Sequence, residues 1–279
     1  MIKFIDCVEN RFLWDNKSQP MKENWIGIIH YSPYLPKFIH HSLDYVINNP
    51  ILLQSLSSCK GLIVFSKNSE TYIKKHSAYK HINIISMKHP SENIVNKFDI
   101  DKFIKLNDYA IIQLGLQDRK VTTIHTLKTN KKKIWLPGSR DKNKTNFLLQ
   151  QEAKALKINI NMNSVEMPYF TNHMEYDKAL QDNIIIIPLW GASANNSIME
   201  IIDMNIPAFV TRLPATEEYL GNEYPMFYTQ DSEIENIIND RIKLHEKYRE
   251  TYNYLVNLDK QEFKIDWFKS ELVKFCLTS

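Results

Sequence analysis

Residues 184–200, IIIIPLWGASANNSIME, carry the most chemistry in this sequence. The four isoleucines read as a buried strand, Gly191 to Ala194 as a compact small-residue loop, and the residues from Asn196 as a helix. Ser193, Asn195 and Asn196 are types that cap helices. A helix start offers free backbone N–H groups at the positive end of its dipole, which suits a diphosphate. Glu200 lies about one turn into that helix, where a carboxylate can accept hydrogen bonds from two ribose hydroxyls. A plainer reading stays open on spacing alone: serine and asparagine cap many helices that bind nothing, and Glu200 is then a solvated carboxylate.

Other candidates stand at strand ends. Asp6 and Glu9 close a first apolar run at residues 2–8, and either carboxylate can serve as a base in an inverting displacement. Arg119 and Lys120 follow a run that ends in the turn glycine Gly115, and Arg140 follows Pro137-Gly138 at another strand end. Glycine at such ends lets the backbone turn tightly or approach a ligand. His40, His41, His76, His81 and His89 are scattered and form no metal pattern, and no Cys/His group has zinc spacing. The expectation is a site with no metal.

These residues need a frame to hold them. Strand-length apolar runs occur at 2–8, 25–29, 62–65, 82–87, 109–114, 134–136, 164–167, 184–189, 208–210 and 226–228. Near-continuous apolar runs imply burial on both faces, as in parallel sheets covered by helices. Helical spacing appears at 43–56, 69–76, 122–127, 146–156, 174–180 and 196–204, and the tail from 233 to 275 reads as helix only. Strand and helix in repeated alternation predict an α/β, doubly wound architecture. The polar stretch 93–108 divides two series of strands, giving a first domain at 1–104, a second at 105–260 and a terminal helix at 261–279. In open parallel sheets ligands sit beyond the C-terminal strand ends, where Gly115, Gly138 and Gly191 fall.

The 279 residues carry 35 Lys+Arg against 32 Asp+Glu, so the net charge of +3 gives no pull toward nucleic acid. Three cysteines, an odd number without paired spacing, fit a reducing, cytoplasmic setting. No apolar run reaches the length of a membrane span, and the N-terminus lacks a signal core.

The block 192–228, ASANNSIMEIIDMNIPAFVTRLPATEEYLGNEYPMFY, resembles the donor-binding half of GT-B glycosyltransferases, and of the group 1, family 4-like enzymes in particular. There a small-residue loop leads into a helix carrying a glutamate, and a proline-led strand and a short helix follow. The resemblance implies two Rossmann-like domains with a short first lobe. It implies that Glu200 holds the donor ribose and that Ser193, Asn195 and Asn196 face the diphosphate. Basic residues after the 111–115 turn then meet the donor phosphates. Arg119 is favoured because a guanidinium pairs bidentately with phosphate oxygens, with Lys120 as substitute and Arg140 as a helper. The strand ending at Met167 lies near the base. His30, which ends the run 25–29, faces the acceptor in such enzymes; histidine's ordinary pKa suits it for general-base work or for sugar binding. A structural histidine bonded to a backbone carbonyl is the alternative. Many retaining members carry an acid eight positions before the ribose glutamate, and here that position is Ala192. The stereochemical outcome is left open by that departure.

The function implied is transfer of a hexosyl or pentosyl group from a nucleotide-sugar, a UDP-sugar for preference, to a hydroxyl of a glycan or glycoconjugate, without a metal or other cofactor. Closure of the two lobes would exclude water and limit donor hydrolysis. A sugar-nucleotide epimerase or phosphorylase of related fold is the alternative enzyme. An inactive GT-B-like partner subunit is the alternative without chemistry, motivated by Ala192 and the short first lobe. The tail helices have two uses open to them, packing on the first lobe or building a homodimer.

Overall fold

The computed structural model describes residues 2–15, 19–39, 41–91, 96–193 and 195–278. Residues 16–18, 92–95, His40 and Ala194 lie outside the described residues, and with them part of the polar divider and one of the scattered histidines. The chain forms two compact units: Met1–Glu92 with Gly191–Asn195 and Asp259–Ser279, and Asn93–Trp190 with Asn196–Leu258.

The first unit is built on four parallel strands, β1 (Lys3–Ile5), β2 (Trp25–Ile29), β3 (Cys59–Val64) and β4 (Ile84–Ser86), in that spatial order. All five residues of β2 are buried, as its continuous apolar run requires. Ile5 pairs with Gly27, so β1 and β2 end side by side. Gly27 is required by packing: a Cβ there would lie 2.6 Å from Val8 Cγ2. The periodic stretch 43–56 forms two helices rather than one, α1 (Leu43–Ile47) and α2 (Pro50–Ser55). Pro50 lacks the N–H that a continuing helix needs, and the Asn49 side chain accepts from the N–H groups of Ile51 and Leu52 to start the second. α3 (Lys67–Lys75) begins at Ser66, whose hydroxyl accepts from Ser69 N.

The second unit holds five parallel strands in the order β6–β5–β7–β8–β9: β5 (Ile111–Leu114), β6 (Lys133–Leu136), β7 (Ile184–Ile187), β8 (Ala208–Thr211) and β9 (Phe227–Tyr228). β5, β7 and β8 are buried at every residue. The helices are α4 (Ile100–Lys105), α5 (Thr123–Thr126), α6 (Lys142–Leu156), α7 (His173–Gln181), α8 (Asn196–Met204), α9 (Pro214–Leu220), α10 (Asp231–Ile238) and α11 (Arg241–Asn257). Two expectations need correction. The run 164–167 is not a strand: Glu166 makes a single parallel bridge to Ile134. Pro168, two residues on, has no N–H with which to extend a ladder. The polar stretch 93–108 contains α4, which Asp99 starts by accepting from Lys102 N. Phe103 of that helix stacks on Tyr248 at 4.3 Å and on Tyr109 at 4.5 Å, so a polar-looking segment carries a core aromatic.

The last helix, α12 (Ile265–Thr278), returns to the first unit. Phe268 and Phe275 pack with Ile26, Ile28, Ile63 and Phe65 on the sheet. The absent side chain of Gly61 makes room for the Phe275 ring, whose Cζ would lie 2.5 Å from a Cβ. The aromatic tail is therefore core. No helix among the described residues is long and apolar enough to cross a membrane.

Candidate active site

In the second unit the chain leaves β5 through Gly115, whose φ of +84° lies in the left-handed region that suits glycine. It then folds back so that Arg119 bridges to Leu189, beyond the end of β7. The Arg119 guanidinium points inward. Nε donates to Leu114 O at 2.8 Å, Nη1 to Gln117 O at 3.0 Å and Nη2 to Ser197 Oγ at 3.1 Å. Ser197 is the second residue of α8, so a buried positive charge is fixed at the start of that helix and adds to its dipole. Burial pulls the guanidinium down to about 10, while the charges of Asp118, Glu200 and Tyr176 pull the other way. It stays charged at neutral pH.

The same guanidinium rests against Gly115: a Cβ there would meet Nε at 2.7 Å and Nη2 at 2.8 Å. Arginine anchored by three hydrogen bonds cannot yield, and alanine is strained at this φ. Gly115→Ala is expected to destabilise the protein by about 1–3 kcal/mol. The melting temperature would then fall by roughly 2–4 °C for each kcal/mol in a chain of this size. Thermal unfolding followed by circular dichroism checks this; an unchanged transition would show that Arg119 is not held as described.

Glu200, half-buried on α8, accepts from the Tyr176 hydroxyl at 3.0 Å through Oε2. Burial raises the Tyr176 pKa, and the Glu200 charge and hydrogen bond raise it further, so the phenol remains a donor. A hydroxyl on this carboxylate is the kind of partner that a ribose would supply. The sequence gives no sign of Tyr176 and Ser197 as site residues beyond the helical spacing of 174–180 and 196–204 that marks the elements carrying them.

Other predicted donor residues point elsewhere or stand apart. Lys120 Nζ lies 5.1 Å from the centre of the Trp190 ring, and its backbone N donates to Pro188 O. Arg140 is exposed and stacks on Tyr169 at 4.7 Å, donating through Nε to the Tyr169 hydroxyl. Met167 is half-buried beside the single-bridge segment, and Asn196 is exposed at the first position of α8. The sequence also contains one Asp-x-Asp triplet, Asp99-Ile100-Asp101. Both acids are in structural use: Asp99 caps α4, and Asp101 pairs with Arg249 at 3.3 Å.

In the first unit Glu9 and His30 come together from the adjacent ends of β1 and β2. Glu9 is 1% exposed. Its Oε1 accepts from His30 N at 2.6 Å and Tyr31 N at 2.9 Å, and its Oε2 faces His30 Nδ1 at 3.3 Å and Cys7 Sγ at 3.5 Å. With both oxygens engaged and no exposure, Glu9 is placed to orient His30, and not to meet a substrate as a base. Asp6 is exposed at the same strand end. The His30 side chain is one-third exposed, and its ring packs on Phe65 at 5.3 Å. Phe65 in turn packs on His89 at 4.9 Å, so this histidine is no surface residue; burial lowers its pKa most, and its Nδ1 lies 2.9 Å from Pro90 O. The loop from Gly191 also packs in this unit: a Cβ on Gly191 would meet Leu35 at 2.5 Å. Ser193 and Asn195 are buried there, and Ser193 Oγ has no hydrogen-bond partner among the described residues.

Burial, the largest influence on Glu9, raises its pKa, but the hydrogen bond and charge of His30 and the backbone N–H groups outweigh it and hold the carboxyl below its ordinary value. A lowered folded-state pKa adds stability above the unfolded value, and that stability is lost as pH falls through the folded one. Glu9→Gln is expected to cost about 1.5–3 kcal/mol at pH 7. The gap to wild type should narrow below pH of about 4. Urea midpoints measured across that range check the sign; a gap that widens in acid would contradict it.

Neither a protein-family model nor a curated protein sequence matches the chain. Solved structures do. The chain superposes on sucrose-phosphate synthase from Thermosynechococcus elongatus with a TM-score of 0.66 at 10% identity, covering 99% of this chain and 74% of that one. Anabaena HepE, in complex with UDP-glucose, gives 0.65 at 11% identity over 92% of this chain and 72% of that one. An S. aureus TarM variant in complex with fondaparinux, alpha-GlcNAc-glycerol and UDP gives 0.61 at 12% identity over 98% and 55%. At these identities the likeness is one of fold.

Proposed function

We propose that this chain, whose fold is that of the GT-B glycosyltransferases, moves a hexosyl or pentosyl group from a nucleotide-sugar to an acceptor hydroxyl of a glycan or glycoconjugate. The observation that carries the reading is the start of α8, where a buried Arg119 is fixed by Ser197 and Glu200 holds a hydroxyl group from Tyr176. A helix N-terminus reinforced by a guanidinium attracts a diphosphate. Glu200 would accept from the ribose hydroxyls in place of, or beside, Tyr176. UDP is the favoured leaving group because two proteins of this fold, HepE and TarM, are in complex with UDP-glucose or UDP.

The Glu9–His30 pair supplies the base. A carboxylate only accepts, so the proton of the imidazole is on Nδ1 and Nε2 keeps a lone pair. The acceptor O–H proton passes to Nε2 while the acceptor oxygen bonds the anomeric carbon and the bond from that carbon to the diphosphate oxygen breaks. Within the second unit, the positive end of α8 would stabilise negative charge on a bound diphosphate. Such a displacement inverts the anomeric centre, and a buried Ala192 at the place of the retaining acid agrees with it. No step is given to a metal ion. Three free cysteines suit a reducing, cytoplasmic setting.

Thermal stabilisation by a panel of nucleoside diphosphates tests the reading, since a ligand that binds only the folded state raises the melting temperature by mass action. Stabilisation by one nucleotide at millimolar concentration supports it. No response to any nucleotide would remove the donor site and leave a partner subunit of this fold.

A further inference from the structure

Cys7, Glu9 and His30 each bring one donor atom within 4.8 Å of the others. The thiol comes from the end of β1, the carboxylate from two residues later and the imidazole from the end of β2. Glu9 Oε2 lies 3.5 Å from Cys7 Sγ and 3.3 Å from His30 Nδ1. In a tetrahedral zinc site, with Zn–N and Zn–O of about 2.0 Å and Zn–S of about 2.3 Å, the N···O edge is about 3.3 Å and the S···O edge about 3.5 Å. Two edges of the ligand triangle thus already have the lengths that zinc imposes. The carboxylate is also oriented as in a metal site: Oε1 is held by two backbone N–H groups, which turns Oε2 toward the thiol and the ring. Phe65 backs the imidazole. His30 is one-third exposed and Cys7 is half-buried, so solvent reaches two of the three ligands.

We propose that Cys7, Glu9 and His30 form a binding site for a zinc-class divalent cation, and that the bound ion switches off the base. One Zn2+ takes a thiolate, a carboxylate and a neutral imidazole, and the thiol proton is released, so the site is neutral overall. Nδ1 gives its lone pair to the ion, and the ring hydrogen moves to Nε2. The nitrogen that would take the acceptor proton is then a donor, and transfer stops. The second half of this inference rests on the proposed transfer reaction; the metal site does not.

The full chain is equilibrated with zinc chloride, dialysed against metal-free buffer and analysed for bound metal, and a parallel titration uses cobalt, whose thiolate complex absorbs in the near ultraviolet. The expected result is one ion per chain with a thiolate band. Cys7→Ser should lose that band and weaken zinc binding by more than the roughly 10–100-fold that loss of an outer partner costs. Its melting temperature and its transfer rate in chelator should stay as in wild type. Zinc should also protect Cys7 of the wild-type chain, and neither buried Cys59 nor Cys276, from alkylation; this readout stands if the variant does not fold. No bound ion in wild type, undiminished affinity in Cys7→Ser, or no protection of Cys7 would overturn the site. Zinc bound as described, in a chain that shows no transfer activity in chelator, would sink the transferase reading and leave the site standing.

Discussion

Replacing His30 with alanine is expected to lower the rate of sugar transfer by about 10²–10⁴-fold, the usual share of a general base, with nucleotide affinity unchanged. The size follows from what the surrounding structure does for this one ring. Glu9 is fully buried and spends one oxygen on the backbone N–H groups that shape the strand end and the other on Nδ1. That arrangement sets the tautomer, and the ring packs on Phe65. A base held this way is ready before the acceptor arrives. Single-turnover rates and nucleotide affinities for wild type and His30→Ala make the measurement. A fall of less than about tenfold would mean that the proton leaves by another route.

Replacing Glu200 with alanine is expected to weaken nucleotide binding by about 10²–10³-fold, from the loss of two hydrogen bonds to a charged group at about 1.5–3 kcal/mol each, less what relaxation recovers. The effect should be specific to ribose: a 2′,3′-dideoxy nucleotide already lacks both partners, and the substitution should hardly change its affinity. Tyr176→Phe separates binding from blockage. Its hydroxyl occupies Oε2 in the free protein, so its removal should leave nucleotide binding intact or tighten it. Titration calorimetry with the three proteins checks this, and equal affinity in wild type and Glu200→Ala would detach Glu200 from the donor.

The parts of this molecule that could be read from sequence are those whose residues are neighbours in the chain. The run of four isoleucines is β7, and helical spacing at 196–204 matches α8 residue for residue. Glu200 was a candidate because loop, helix start and carboxylate follow one another directly. The Glu9–His30 pair was not legible as a pair. Both residues were candidates as separate bases, but the parallel register of β1 on β2 brings them together across 21 positions, and it draws in Cys7 as well. By its place in the sequence Arg119 is a side chain offered to phosphate. Its spacing after Gly115 could not show that the chain folds back and ties the guanidinium to Leu114 O and Gln117 O. Lys120 then faces Trp190 instead. The run 164–167 had strand composition, but composition says nothing of whether a neighbour offers more than one pairing, and Pro168 ends the ladder. The apolar period at 43–56 reads as one helix, and the break at Asn49-Pro50 divides it in two.

The most direct test of the account is product analysis. Purified protein is incubated with a radiolabelled UDP-sugar and a pool of glycan acceptors, and free UDP and acceptor-bound label are measured together, with His30→Ala alongside. UDP and labelled acceptor should appear in equal amounts, and both should fall together in His30→Ala. Label that stays on the nucleotide as an epimerised sugar, or no turnover by a protein that no nucleotide stabilises, would contradict it.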